Sequence, residues 1–298
     1  MTVIYRPARE HDLATAQILT AASINDLTQR HGFGAIASAR PAAFQAFSLR
    51  DDPAGLWIAE EDGRMVGSAF SWCCERLWFL AELFIAPELQ GHGIGRELLS
   101  RALAHADKRD ADVRALIALA FNTTSQALYI RHGFFPRMPI YLFSAKHEKL
   151  RASGTTPKLD SVPLTAKHLP ALAEIDRGAI GAARDKHHRF LMSDATLTGA
   201  LLRDGGKAAG YAYVNADGHI GPLAVASPAA MADALGCALD VAAGRGTAQV
   251  SCFIPGDNEA ALSTAVSRGM RIVFPAMLMS SKPFGDWSRY LPCNPGFM

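Results

Sequence analysis

Seven consecutive residues, Gln90-Gly91-His92-Gly93-Ile94-Gly95-Arg96, hold the densest chemical signal in the chain. An apolar run ends at Pro87 just before them, and Leu98, Leu99, Ala102, Leu103 and Ala106 recur on one helical face just after. Glycines at alternate positions let a backbone turn tightly and approach a ligand with no Cβ in the way. Successive N–H groups at the start of a helix then form a concave, partly positive donor surface suited to a pyrophosphate. The GxGxG spacing is not the GxGxxG of a dinucleotide loop, and no Gly-Lys-Ser/Thr ending marks a triphosphate loop. A glycine-rich turn without a ligand is the plain alternative. The strand-loop-helix setting weighs against it.

A second motif follows at Asn122 and Ala127-Leu128-Tyr129-Ile130-Arg131-His132-Gly133-Phe134. Together, the loop and this stretch resemble two ordered motifs of the GNAT superfamily of N-acetyltransferases, over about residues 1–145. The resemblance implies acetyl-coenzyme A as cosubstrate and no metal. It places the backbone of Leu83, Phe84 and Ile85 beside the pantetheine arm like an added strand. Gln90, Gly91, His92, Gly93, Ile94, Gly95 and Arg96 would hold the pyrophosphate, Asn122 would touch the cofactor, and Tyr129 would sit beside its sulfur.

Acetyl transfer to an amine needs a neutral amine, a polarised thioester carbonyl and a protonated leaving thiolate. In this superfamily the strand equivalent to Phe79–Ala86 splays from its neighbour and leaves N–H groups free for the carbonyl. A phenol with a pKa near 10, above a thiol's ~8.5, can share its proton with a developing thiolate, which makes Tyr129 the expected acid. Glu82 is the expected base or ammonium anchor, with a solvated or salt-bridged carboxylate as its alternative. Relatives that acetylate peptide N-termini can carry a glutamate five residues before the motif Asn, where this chain has Ile117. Asn25, Asp26 and Trp72 are expected acceptor-side residues. His187 and His188 lack partners at metal-ligand spacing, and Cys73-Cys74 show no His/Asp constellation for nucleophilic chemistry.

These groups need elements to hold them. The chain has 298 residues, 49% hydrophobic and 19% charged, enough for about two packed domains. Lys146 to Lys158 is polar and contains Gly154 and Pro157, which predicts domains at 1–146 and 159–298 with a linker at 147–158. In the first half, Leu56–Glu60 and Met65–Trp72 flank a Gly63 turn as a hairpin, followed by a strand at Phe79–Ala86 and a helix starting near Glu97. Val113–Phe121, Thr123–His132 and Met138–Ser144 then read as strand, helix, strand. The second half repeats this order. Asn258 precedes Gly269 by the same eleven residues that separate Asn122 from Gly133, and a Pro-containing apolar strand follows each glycine.

The expected fold class is α+β: two GNAT-like domains in tandem, each a mixed, mostly antiparallel twisted sheet flanked by helices. The second copy reads as degenerate. Its loop equivalent, Ala226 to Met231, lacks the alternating glycines, and Ala265 stands where Tyr129 does. Asp176 and Arg184, eight residues apart, are expected on one helical face as an ion pair, with recognition of a substrate as the alternative. They lie in a stretch resembling the second domain of some bacterial tandem GNAT proteins.

The net charge of +2 and scattered basic residues speak against nucleic acid or a membrane surface as partner. Five cysteines without a CxxC pair and no apolar leader or spanning run point to a cytoplasmic protein. The expected function is acetyl transfer to a small-molecule amine, by a monomer or homodimer. A noncatalytic CoA-binding sensor and an acyltransferase for longer chains are the rival readings.

Overall fold

The computed structural model describes residues 2–152 and 158–298, so the expected linker falls partly outside the described residues. Two compact units are present, Met1–Ile117 with Phe121–Phe135 and Ala118–Ala120 with Pro136–Met298. Residues 136–146, expected with the first domain, pack within the second unit.

The first unit contains β1 (Val3–Pro7), α1 (Leu13–Arg30), α2 (Ala43–Asp51), β2 (Leu56–Glu61), β3 (Arg64–Cys74), β4 (Leu77–Ile85), α3 (Ile94–Lys108), β5 (Val113–Leu119, its last two residues in the second unit) and α4 (Thr123–Arg131). Its sheet runs β1-β2-β3-β4-β5, antiparallel except for the final parallel pair. The expected hairpin forms as β2 and β3, turning through Asp62 and Gly63, both at positive φ. That is the pairing of conformations a two-residue hairpin favours.

Helix α3 starts at Ile94, one turn earlier than its apolar repeat suggested, because Gly93 at φ 86° caps it. Its stripe of Ile94, Leu98, Leu99, Ala102 and Ala106 is buried against the sheet. Gly67 on β3 permits that approach. A Cβ there would lie 2.9 Å from both Ile85 Cδ1 and Leu98 Cδ1.

The second unit contains β6 (Phe135–Lys146, without its first residue), β7 (Asp160–Pro163), α5 (Leu169–Ile180), α6 (Asp185–Ser193), β8 (Thr198–Asp204), β9 (Lys207–Val214), β10 (His219–Val225), α7 (Met231–Gly244), β11 (Gln249–Pro255), α8 (Glu259–Ser267), β12 (Arg271–Ser280) and β13 (Tyr290–Leu291). From β7 to α8 this repeats the first unit element for element. The β7-β8-β9-β10 run is antiparallel and β10 pairs parallel with β11, as β4 does with β5. Strand β6 lies between β12 and β11, and pairs with β11 from Ile140↔Pro255 to Lys146↔Gln249. That ladder is why residues 136–146 belong to this unit.

The paired asparagines do the same local job. The Asn122 Oδ1 accepts from Ser125 N–H and the Asn258 Oδ1 from Ala261 N–H, each at 3.1 Å, capping α4 and α8. Gly133 and Gly269 follow at φ 83° and 87°. The Asp176–Arg184 expectation needs correcting in one respect. Gly181 at φ 80° ends α5, and Arg184 stands just ahead of α6, so the pair bridges two helices. No described helix is long and apolar enough to cross a membrane.

Candidate active site

The site begins with an irregularity in β4. Strand β3 pairs Phe70 with Glu82 and then Ser71 with Leu80, which leaves Ala81 as an extra residue on β4. A bulge bends its strand and raises the local twist. Pairing with β5 accordingly runs only from Leu77↔Val113 to Leu80↔Leu116, although β4 continues to Ile85. Beyond Leu80 the two strands part. Leu83, Phe84 and Ile85 keep their β3 partners Ala69, Ser68 and Gly67 and have no rung to β5. The Ile85 carbonyl is engaged within the protein, accepting from Ser23 Oγ at 3.0 Å and Gln90 Nε2 at 3.4 Å.

The glycine loop follows directly. Gly91 and Gly93 sit at φ 85° and 86°, a region that L side chains rarely adopt. Among the described residues, the N–H groups of Gly91, His92 and Gly93 meet no backbone acceptor. Those of Ile94, Gly95 and Arg96 open α3, where the first turn has no intrahelical acceptor. His92 and Arg96 are exposed at the rim. Gly95 faces inward, and a Cβ there would sit 3.6 Å from Ile85 Cγ1. The loop is therefore a donor cradle anchored by its last glycine.

Tyr129, on α4, is 7% exposed and packs edge-on to Phe134 with ring centroids 6.3 Å apart. Burial pushes its pKa up, which keeps the phenol protonated at neutral pH. The hydroxyl makes no hydrogen bond among the described residues, so its proton is available. Asn122 uses Oδ1 as the α4 cap and keeps its side-chain N–H groups for another acceptor.

Glu82 stands one residue past the bulge. Its Oε1 accepts from Gln45 Nε2 at 2.7 Å and Gln17 Nε2 at 3.4 Å. Burial raises its pKa and the two amide donors lower it, with burial prevailing. A carboxylate so poised takes up a proton more readily than a solvated one. Sequence reasoning missed both glutamines. They come from α1 and α2, far from Glu82 in sequence, and carry no motif.

Other expected residues have different surroundings. Asn25 spends its side chain on the stretch after α1: Nδ2 donates to Ala37 O at 2.8 Å, and Oδ1 accepts from Ile36 and Ala37 N–H. Asp26 pairs with Arg30 on the same helix at 2.7 Å. Trp72 is buried and stacks on Phe79. Phe33 stacks on Phe121, next to Asn122, and His31 tilts against the same ring.

A Ser-His-Asp chain unnoticed in the sequence also forms. Ser71 Oγ is 2.9 Å from His105 Nδ1, and His105 Nε2 is 2.9 Å from Asp52 Oδ2. Ser71 and His105 are enclosed, and Trp78 Nε1 donates to the same Nδ1. The chain ties β3, β4 and α3 together. It is not an accessible nucleophile.

In the second unit, Asp176 and Arg184 pair at 3.0 and 3.2 Å with Tyr211 and His188 alongside, all buried. Ala265 lies in the core. A side chain without a donor there has no counterpart to the Tyr129 phenol.

Known proteins resemble the chain in sequence and in fold. Residues 21–134 match the profile of the acetyltransferase (GNAT) family. Over 87 residues the chain is 37% identical to mycothiol acetyltransferase of Streptomyces coelicolor, a match spanning 28% of this chain and 28% of that protein's length. A tandem GNAT protein from the clavulanic acid biosynthesis pathway shares the fold with a TM-score of 0.64 at 15% identity, over 95% of this chain and 99% of that one. A chain from Pyrococcus horikoshii does so with a TM-score of 0.78 at 20% identity, over 99% and 96%. The match to the acetyltransferase (GNAT) family profile spans the bulged strand, the glycine cradle and the capped α4 together.

Proposed function

We propose that the first unit transfers an acetyl group from acetyl-CoA to a primary amine of a small molecule. The observation that carries this reading is the parting of β4 from β5 after Leu80↔Leu116, immediately ahead of the donor cradle. The opened edge suits an extended amide-bearing arm, and the cradle suits a pyrophosphate. A Cβ at Gly91 or Gly93 would force a strained backbone where the phosphates lie closest. Relatives named for mycothiol acetylation favour a small acceptor.

Acetyl-CoA supplies a thioester whose acyl carbon is open to an amine and whose sulfur leaves as a thiolate. Backbone N–H groups of the opened β4 edge polarise the carbonyl, held in place before reaction. Glu82 attracts the ammonium and accepts its proton, directly or through a water. Tyr129 gives its phenol proton to the leaving sulfur and regains one from the nitrogen, which sheds its second proton as the amide forms. General acid help of this kind is worth about 10²–10⁴ in rate. Gly91 to Arg96 and Asn122 hold the nucleotide end.

Calorimetric titration of acetyl-CoA into the wild type and Gly93→Glu tests the reading, followed by thiol release with a panel of amines. One equivalent bound by the wild type and none by the variant, with amine-dependent thiol release, is the expected result. No binding by the wild type overturns it. Two equivalents would show that the second unit binds as well.

A further inference from the structure

The reading of Glu82 leaves open what fixes its carboxylate. Two amides, from α1 and α2, converge on one of its oxygens, Oε1, and its other oxygen, Oε2, has no partner among the described residues. One turn along α1 from Gln17, the Thr20 Oγ1 is buried and also unpartnered. At 100° per residue Thr20 lies midway around the helix between Gln17, which reaches Glu82, and Ser23, which reaches Ile85. Thr20 thus shares the face of α1 that carries both contacts to β4. Native proteins rarely leave a buried hydroxyl unsatisfied unless water or a ligand completes it.

From this arrangement we infer that Gln17 and Gln45 are positioning residues: they clamp Glu82 through Oε1 so that Oε2 presents itself to the acceptor amine, and Thr20 supplies a further hydrogen bond to that acceptor. The inference rests on the acetyltransferase reading. Its chemistry is specific. An ammonium has three N–H donors and no acceptor, and this wall offers a carboxylate oxygen and a hydroxyl oxygen to receive them. The clamp also works electrically. Two amide donors favour the charged carboxylate against burial, so the base stays deprotonated to lower pH than it would unclamped.

The experiment is the pH profile of kcat/KM for the acceptor amine in the wild type, Gln45→Met and Gln17→Met. Methionine keeps the length and removes the donors. The acid limb reports the free enzyme's base. Loss of a donor raises that pKa, so the limb moves to higher pH by about one unit in Gln45→Met and less in Gln17→Met, whose bond is longer. The acceptor KM rises while the acetyl-CoA KM holds. A limb that stays put in both folded variants, with turnover intact, overturns the clamp and leaves acetyl transfer standing. Wild type that binds acetyl-CoA yet acetylates no amine in the panel overturns the acetyltransferase reading and the clamp with it.

Discussion

Leu80 and Leu116 form the last rung between β4 and β5, and the bulge residue Ala81 follows immediately on β4. What β4 contributes to the acyl end of the site lies within a few residues of that rung. Glu82 is next on the strand, and Leu83 to Ile85 form the edge that the departure of β5 leaves open.

Removing one oxygen tests Tyr129 as the proposed acid. In Tyr129→Phe the buried ring keeps its edge-on contact with Phe134, and the hydroxyl it loses has no protein partner. Stability should hold within about 0.5 kcal/mol, as for changes that break no contact. The value of kcat should fall about 10²–10⁴-fold with the acetyl-CoA KM nearly unchanged. Unchanged turnover would assign the proton to another donor.

Thr20→Val is expected to move stability and function in opposite directions. The valine is nearly isosteric and removes a buried hydroxyl without a partner, whose desolvation costs about 1–3 kcal/mol in the free protein. Thermal unfolding should therefore shift upward while the acceptor KM increases. A hydroxyl with no role toward the acceptor would give the first change without the second.

Gly67→Ala probes the seat of α3. The added Cβ meets Ile85 Cδ1 and Leu98 Cδ1 at 2.9 Å and Ile94 Cγ2 at 3.3 Å. Overpacking of this kind costs about 1–3 kcal/mol. Because Ile94 opens α3, the strain should reach the cradle and weaken acetyl-CoA binding, which calorimetry beside thermal unfolding would read.

The buried pair in the second unit should set its acid stability. Burial alone would raise the pKa of Asp176, but the Arg184 charge and the His188 hydrogen bond override it and hold the carboxylate well below its ordinary value. A depressed folded pKa gives stability that is fully present above the unfolded value near 3.9 and lost as pH falls toward the folded one. Unfolding followed from pH 6 down to pH 2 should show this loss. Asp176→Asn should flatten that dependence and cost about 3–5 kcal/mol near neutrality, because it leaves Arg184 buried without its counter-charge. Equal acid sensitivity in the variant would remove Asp176 from the account.

Much of this was open to reading along the chain. Backbone demands are local, so Gly91, Gly93, Gly133 and Gly269 announce their left-handed conformations by residue type, and Asn122 and Asn258 announce two helix starts at matched spacing. Periodicity likewise located the hairpin and the apolar stripe of α3. The sequence by itself thus determined the cradle, the Tyr129 helix and the duplication, each set by short-range constraints. Tertiary structure decided the rest. Which strand β6 joins depends on pairing with β11, about a hundred residues downstream, and the Ser71–His105–Asp52 chain gathers three distant elements. The end of α5 at Gly181 takes Arg184 off the helix of Asp176 and sets it just ahead of α6. Gln17 and Gln45 reach Glu82 only because α1 and α2 pack where β4 opens. A side chain with no motif becomes part of a site through what the fold puts next to it, and that depends on long-range contacts that no local pattern encodes.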